Sequence, residues 1–159
     1  MAEHLIIKGE NKEELYSNLV PQITSVVEYE DDAVANMANV AACIQETFRF
    51  WWVGFYRVIG GELVLGPFQG PLACTRIKKG RGVCGTAWAE GKTIVVPDVE
   101  QFPGHIACSS ASRSEIVVPV FRDGEVTGVL DIDSEKLNTF DDIDKEWLGR
   151  LISAISHKL

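Results

Sequence analysis

The segment from Ser114 to Asp133 constrains this chain more than any other, because Ser114-Glu-Ile-Val-Val-Pro-Val-Phe121 and Val126-Thr-Gly-Val-Leu-Asp-Ile-Asp133 flank Arg122-Asp-Gly124. Two β-branched runs around Asp-Gly read as an antiparallel hairpin, since those residues supply the positive φ of a tight turn. Alternation along the second strand sends Leu130 and Ile132 to one face and sets Asp131 and Asp133 side by side on the other, about 7 Å apart. Two acids on an apolar strand are costly unless they are solvated or bind something. A wet outer face of the sheet is the alternative reading. Turn length decides what meets them. A two-residue Asp123-Gly124 turn pairs Ile116 with Asp131 and sends Glu115 to the opposite face. A three-residue loop pairs Phe121 with Glu125 and brings Glu115 opposite Asp131. Three carboxylates then converge, and such crowding keeps a protonated carboxyl available near neutrality.

A first hairpin precedes this one. Phe50-Trp-Trp-Val-Gly-Phe-Tyr-Arg-Val58 is aromatic and β-branched, and Gly60-Gly61 leads into Glu62-Leu-Val-Leu65. Trp52, Gly54 and Tyr56 share one strand face, while Trp51, Val53 and Phe55 share the other. The glycine between two aromatics leaves a slot in which Trp52 and Tyr56 can clasp a ligand's methyl or cationic end. Core packing is the competing reading.

Helical periodicity covers about 11–28, through Leu15, Leu19, Val20, Ile23 and Val26 or Val27. It returns over 31–48, capped by Asp31 or Asp32, with Met37, Val40, Ala41, Ile44 and Phe48 on one face. Thr139-Phe-Asp-Asp142 has capping-box form ahead of Ile143, Trp147, Leu148, Leu151 and Ile155, giving a helix over about 140–157. Gly80-Arg-Gly-Val-Cys-Gly85 opens a short helix that stops at Gly91, and Thr93-Ile-Val-Val96 is a buried strand ending at Pro97. No repeat or low-complexity tract interrupts the pattern. The expectation is one α+β domain over 1–159, helices packed on a central, mostly antiparallel sheet.

With 46% hydrophobic and 24% charged residues the chain has ordinary globular composition. No apolar run approaches the roughly 20 residues of a membrane span. Met-Ala-Glu-His-Leu-Ile-Ile-Lys lacks a signal peptide's layout, so a cytoplasmic protein with reduced cysteines is expected. A net charge of -8 offers no basic footprint for nucleic acid.

Four cysteines, Cys43, Cys74, Cys84 and Cys108, leave redox chemistry, metal binding or core packing as roles. Cys108 lies in the long polar segment Asp98–Arg113, where Pro103, Gly104 and the run Ser109–Ser112 oppose a regular element. Phe102 and Ile106 can pin that loop down. A thiol there reads as exposed and present for its chemistry. Cys84 stands near a helix start, where the dipole is expected to lower its pKa. Cys74 falls in the connection from Gly66 to Cys74, outside a regular element, and Cys43 reads as an inert buried thiol on a helix. A zinc quartet of Cys74, Cys84, Cys108 and His105 lacks any Cys-x-x-Cys pair, so no metal site is expected. His105 is either a solvated loop residue or a support for the Cys108 thiolate.

Gly82-Val-Cys-Gly-Thr-Ala-Trp88, Val96-Pro-Asp-Val99, Phe102-Pro-Gly-His-Ile-Ala-Cys108, Ser114-Glu-Ile-Val117 and Gly128-Val-Leu-Asp-Ile-Asp-Ser134 closely resemble the free methionine-R-sulfoxide reductases, which are single GAF-domain enzymes. The likeness covers nearly the whole chain and implies a GAF-like α+β fold, with the N- and C-terminal helices packed on one face of the sheet and a ligand pocket under a loop on the other. It implies reduction of free L-methionine R-sulfoxide with Cys108 as attacking thiol, Cys74 as resolving thiol and Cys84 as a second or relay thiol. It further places Trp52 and Tyr56 around the substrate methyl, and Glu115, Asp131 and Asp133 around its polar groups, one of these carboxyls being the proton donor. Thioredoxin is the implied reductant, no cofactor is implied, and a homodimer is favoured. Two alternatives remain: a non-catalytic GAF sensor of a small molecule, and a thiol redox sensor.

Overall fold

The computed structural model describes residues 4–108 and 110–159; the first three residues, part of the N-terminal reading above, and Ser109 of the serine run lie outside the described residues. Helix α1 (Lys12–Glu28) begins at Asn11, whose side chain accepts from the Glu14 N–H, and α2 (Ala33–Phe48) is capped in the same way by Asp32. Such caps satisfy backbone donors that a helix start leaves without partners. The last helix, α4 (Asp142–Ile155), has a capping box, but Asp141 and Asp144 form it. Thr139 is displaced from that role because its hydroxyl donates to Ser134 Oγ at 2.6 Å.

Six strands form one antiparallel sheet: β1 (Trp52–Ile59), β2 (Glu62–Gln69), β3 (Arg76–Lys78), β4 (Ile94–Val96), β5 (Ser114–Arg122) and β6 (Glu125–Ser134). Their spatial order is β3-β2-β1-β6-β5-β4. Strand β2 runs further than expected, to Gln69, through the segment read as an irregular connection. A register irregularity opposite Phe55 accommodates Gly66 and Pro67 within the strand. Proline is tolerated at such a bulge because no ladder donor is needed there.

Helices α1, α2 and α4 cover one face. Tyr16, Leu19, Val40, Ile44 and Leu148 pack there with Val53, Phe55, Ile116, Leu130 and Ile132 of the sheet, all fully buried. Each such side chain contributes roughly 1.5–3 kcal/mol. Buried Asp144 fastens α1 to α4 by accepting from the Tyr16 hydroxyl at 2.6 Å and pairing with Lys12. On the other face lie α3 (Gly82–Glu90) and the segment leading to Cys108, over a second apolar cluster that includes Trp52, Tyr56, Val83, Cys84 and Val117.

The second hairpin follows neither of the two expected registers. Arg122 pairs with Glu125, so the turn is the two-residue Asp123-Gly124 form, with φ of 51° and 80°. A bulge at Thr127 then shifts the ladder, so that Val120 pairs with Gly128 and Glu115 pairs with Asp133. The extra residue cancels the face reversal that the short turn alone imposes.

Candidate active site

Strand register assembles the floor of the site. Glu115 faces Asp133 across β5 and β6, and Asp133 faces Trp52 across β6 and β1. One step along, Val117, Asp131 and Gly54 form the adjacent row. Glu115, Asp131 and Asp133 therefore point to the face of the sheet that carries Trp52 and Tyr56, and all five line one pocket. Helix α3 contributes Gly82, Val83 and Cys84, while the loop after β4 contributes His105, Ile106 and Cys108.

The aromatic pair is arranged differently from an open slot. A Cβ at Gly54 would stand 2.5 Å from Trp52 Cη2, so the glycine admits the Trp52 ring itself. That ring stacks on Phe68 with centroids 5.2 Å apart and lies 6.0 Å from Tyr56. Trp52 Nε1 donates to the Pro71 carbonyl at 3.1 Å, and the Tyr56 hydroxyl donates to the Cys74 carbonyl at 2.8 Å. The polar ends thus hold the segment carrying Cys74, leaving the apolar ring surfaces to the pocket. Burial, reinforced by nearby carboxylates, raises the Tyr56 pKa, so its hydroxyl stays a proton-bearing donor.

Cys74 and Cys108 form a disulfide, with Cα atoms 5.3 Å apart. Cys108 is half-buried rather than exposed, and its sulfur is bonded to Cys74, which packs against the second apolar cluster. The bond also removes two members of the zinc quartet considered from sequence. Cys84 is a free, buried thiol. Its pKa is raised, contrary to the expectation from its helix position: burial and the facing Asp131, Glu115 and Asp133 oppose ionisation more strongly than the helix dipole favours it. Its Sγ lies 3.9 Å from Glu115 Oε1. Cys43 is on α2 at the edge of the helix-covered core, and burial raises its pKa as well.

Burial is the largest cause of the raised pKa of all three carboxyls. Charge from the other acids adds to the rise for Glu115 and Asp133. Asp131 is pushed up to about 6, with contacts from Glu115 and Cys84 opposing the rise. Asp133 accepts from the Ser112 hydroxyl at 2.6 Å, whereas Asp131 Oδ1 is buried and has no hydrogen-bond partner among the described residues. Donor atoms of Cys84, Glu115 and Asp131 lie within 4.8 Å of one another, close enough for one cation to contact all three. His105 is half-buried and its pKa is lowered by that burial, so the imidazole is neutral.

Sequence patterning did not identify Trp51, Arg81 or Ser112 as pocket residues. Trp51 precedes the first residue of β1, so strand alternation does not govern its direction. Ser112 reaches Asp133 through the return of a long loop. The Gly-Arg-Gly signal around Arg81 pointed only to the start of α3.

A disulfide beside an acidic pocket on one face of an antiparallel sheet, with helices covering the other face, marks out the class of domain to which this chain is compared. A model of the GAF domain matches residues 30–159. The chain is 58% identical over 158 residues to "GAF domain-containing protein A" of Dictyostelium discoideum, covering 99% of this chain and 100% of that one. It is 43% identical over 150 residues to the free methionine-R-sulfoxide reductase of Escherichia coli, covering 94% and 91% of the two chains. The structure of the Neisseria meningitidis free methionine-R-sulfoxide reductase in complex with its substrate superposes with a TM-score of 0.96 at 57% identity, covering 98% of this chain and 94% of that one. The chain belongs to the free methionine-R-sulfoxide reductase family.

Proposed function

We propose that this protein reduces free L-methionine R-sulfoxide to methionine, as a single GAF domain over 1–159. The observation that carries the reading is the Cys74–Cys108 disulfide beside a pocket lined by three buried carboxyls. Cys108 attacks the sulfoxide sulfur, and a protonated carboxyl, with Glu115 the leading candidate, delivers a proton to the oxygen. Oxygen passes to the Cys108 sulfur, so methionine leaves with two electrons gained and Cys108 becomes a sulfenic acid. Cys74 then displaces hydroxide from that sulfenic acid, forming the disulfide and water. Cys84 is a poor rival for this step because its thiol resists ionisation.

Trp52 and Tyr56 offer apolar ring surface to the substrate methyl, and the remaining carboxylates receive its ammonium. A thioredoxin-like dithiol restores the two thiols by exchange, in a cytoplasmic setting and without a resident metal or organic cofactor. Among the described residues, no helix is long and apolar enough to cross a membrane. A homodimer is part of the same proposal, resting on the family likeness.

The test supplies purified protein with both epimers of free methionine sulfoxide and a thioredoxin system. Loss of the R epimer alone is expected, and an unchanged R epimer overturns the reading. Cys108→Ser should abolish the first turnover, whereas Cys74→Ser should spare one turnover and block cycling. Normal cycling by Cys74→Ser would transfer the resolving role to Cys84.

A further inference from the structure

Positive charge is gathered in one place on this acidic chain. Residues 63–89 hold no Asp or Glu, whereas Arg76, Lys78, Lys79 and Arg81 fall close together, in a chain of net charge -8. All four side chains are exposed. Strand β3 fixes the patch, because Ile77 is buried and alternation turns Arg76 and Lys78 outwards. Arg76 pairs with Glu62 at 3.2 Å, and Lys79 lies over the Trp88 ring. Among the described residues, Lys78, Lys79 and Arg81 have no ion-pair partner. The patch adjoins the disulfide from two sides. Cys74 lies just before Arg76 on a strap whose Leu72 and Thr75 are exposed. Across the pocket mouth, a Cβ at Gly82 would stand 3.2 Å from Ile106 Cδ1, and Arg81 borders the pocket together with Cys108.

An extended polyanion, nucleic acid or membrane, also meets the acidic remainder of the chain, which repels it. A compact protein with negative charge around its reactive thiols meets this corner alone. We propose that the basic segment Arg76–Arg81 is the docking surface for an acidic dithiol protein that reduces the Cys74–Cys108 bond. This inference rests on the reaction proposed above and names the surface through which its reductant acts. The partner's thiolate bonds to the Cys74 sulfur, the Cys74–Cys108 bond breaks, and Cys108 leaves as a thiolate that takes up a proton. The partner's second thiol then attacks the partner sulfur of the mixed disulfide and releases Cys74 as a thiol. Two electrons and two protons thus pass from the dithiol to this chain. Complementary charge acts on the encounter rate and orientation, leaving the exchange chemistry itself unaltered.

The experiment drives turnover of the R epimer with either of two reductants: a thioredoxin of net negative charge, kept reduced by its reductase and NADPH, or dithiothreitol, which is small and uncharged. The altered protein carries Lys78→Glu with Lys79→Glu, since neither residue lines the pocket. At low salt its kcat/KM for thioredoxin should fall by about tenfold or more, the lower end of electrostatic steering, while kcat/KM for dithiothreitol stays unchanged. Added salt should slow the unaltered protein with thioredoxin and narrow the gap between the two proteins. A control carrying Lys8→Glu with Lys145→Glu makes the same change in net charge elsewhere on the surface and should keep the rate of the unaltered protein. An unchanged thioredoxin rate in the Lys78/Lys79 variant, an equal loss in the control, or an equal loss with dithiothreitol overturns the assignment. So does a variant whose only defect is lost binding to anionic vesicles or single-stranded DNA. Failure of the unaltered protein to reduce the R epimer with dithiothreitol would instead overturn the reaction, and the two failures are thereby distinct.

Discussion

Reduction of the Cys74–Cys108 bond should lower stability by an amount that follows from chain length. The two cysteines are 34 residues apart. Closing a loop of that size removes conformational freedom from the unfolded chain equivalent to about 3.8 kcal/mol at 25 °C on the chain-entropy relation. The Cα separation of 5.3 Å falls within the ordinary disulfide range, so the folded state need not distort to hold the bond. For a chain of this size each kcal/mol moves Tm by roughly 2–4 °C, which places the oxidised-minus-reduced difference at about 8–15 °C. Scanning calorimetry with and without dithiothreitol measures it. The unaltered protein and Cys84→Ser should both lose stability on reduction, whereas Cys74→Ser and Cys108→Ser should melt at the reduced value in either condition. A Cys84→Ser variant insensitive to reductant would show that Cys84 supplies the bond in solution. A shift below about 2 °C in the unaltered protein would refute the entropic argument itself.

Stability should fall as pH rises from about 4 to beyond 6. The folded state binds Asp131's proton up to about 6, whereas the unfolded chain releases it near 3.8, so in that window folding takes up a proton. Urea unfolding should show Asp131→Asn with a flatter profile and up to about 3 kcal/mol more stability at neutral pH, together with weaker substrate binding. Gly54→Ala should cost about 1–3 kcal/mol and raise KM, because its Cβ would lie 2.4 Å from Phe68 Cβ and 2.5 Å from Trp52 Cη2; an unchanged thermal melt and KM would show that the Trp52 ring yields freely. Asp144→Ala should cost about 3–5 kcal/mol in chemical denaturation, since it strips the Tyr16 hydroxyl and the partly buried Lys12 of their acceptor. A cost under 1 kcal/mol there would mean that α1 docks through its apolar face alone.

Legibility in the sequence followed the range of the interactions. Asp131 and Asp133 were readable from β6 alone, because alternation is local and both neighbours of Asp131 are apolar. The three long helices were readable within two or three residues, from caps and periodicity. Glu115 was harder, since its face depends on the turn and on a bulge that no turn rule contains. The extension of β2 through Pro67 was hidden because a proline in a strand is tolerated only where the partner strand leaves room. The Cys84 pKa was misjudged for the same reason: the helix start is a local signal, and the three carboxyls facing it arrive from other strands. Trp51, Arg81 and Ser112 lie outside the regular strand and helix interiors, where no periodicity operates.

The bulge at Thr127 connects these observations. With the two-residue turn continued unshifted, Glu115 would stand opposite Ile132 and Ile116 opposite Asp131, placing an acid among the helix-covered side chains or an isoleucine in the pocket. One extra residue in β6, placed before the buried part of the hairpin, keeps Ile116, Leu130 and Ile132 together under α1, α2 and α4. It equally keeps Glu115 beside Asp133 on the opposite face. The sheet thus separates two demands on the same pair of strands. Its helical side forms a dry core that stabilises the domain. Its other side can then hold three carboxyls and a thiol out of water, a destabilising arrangement that raises the carboxyl pKa values beside the Cys74–Cys108 disulfide, as the proposed proton transfer requires.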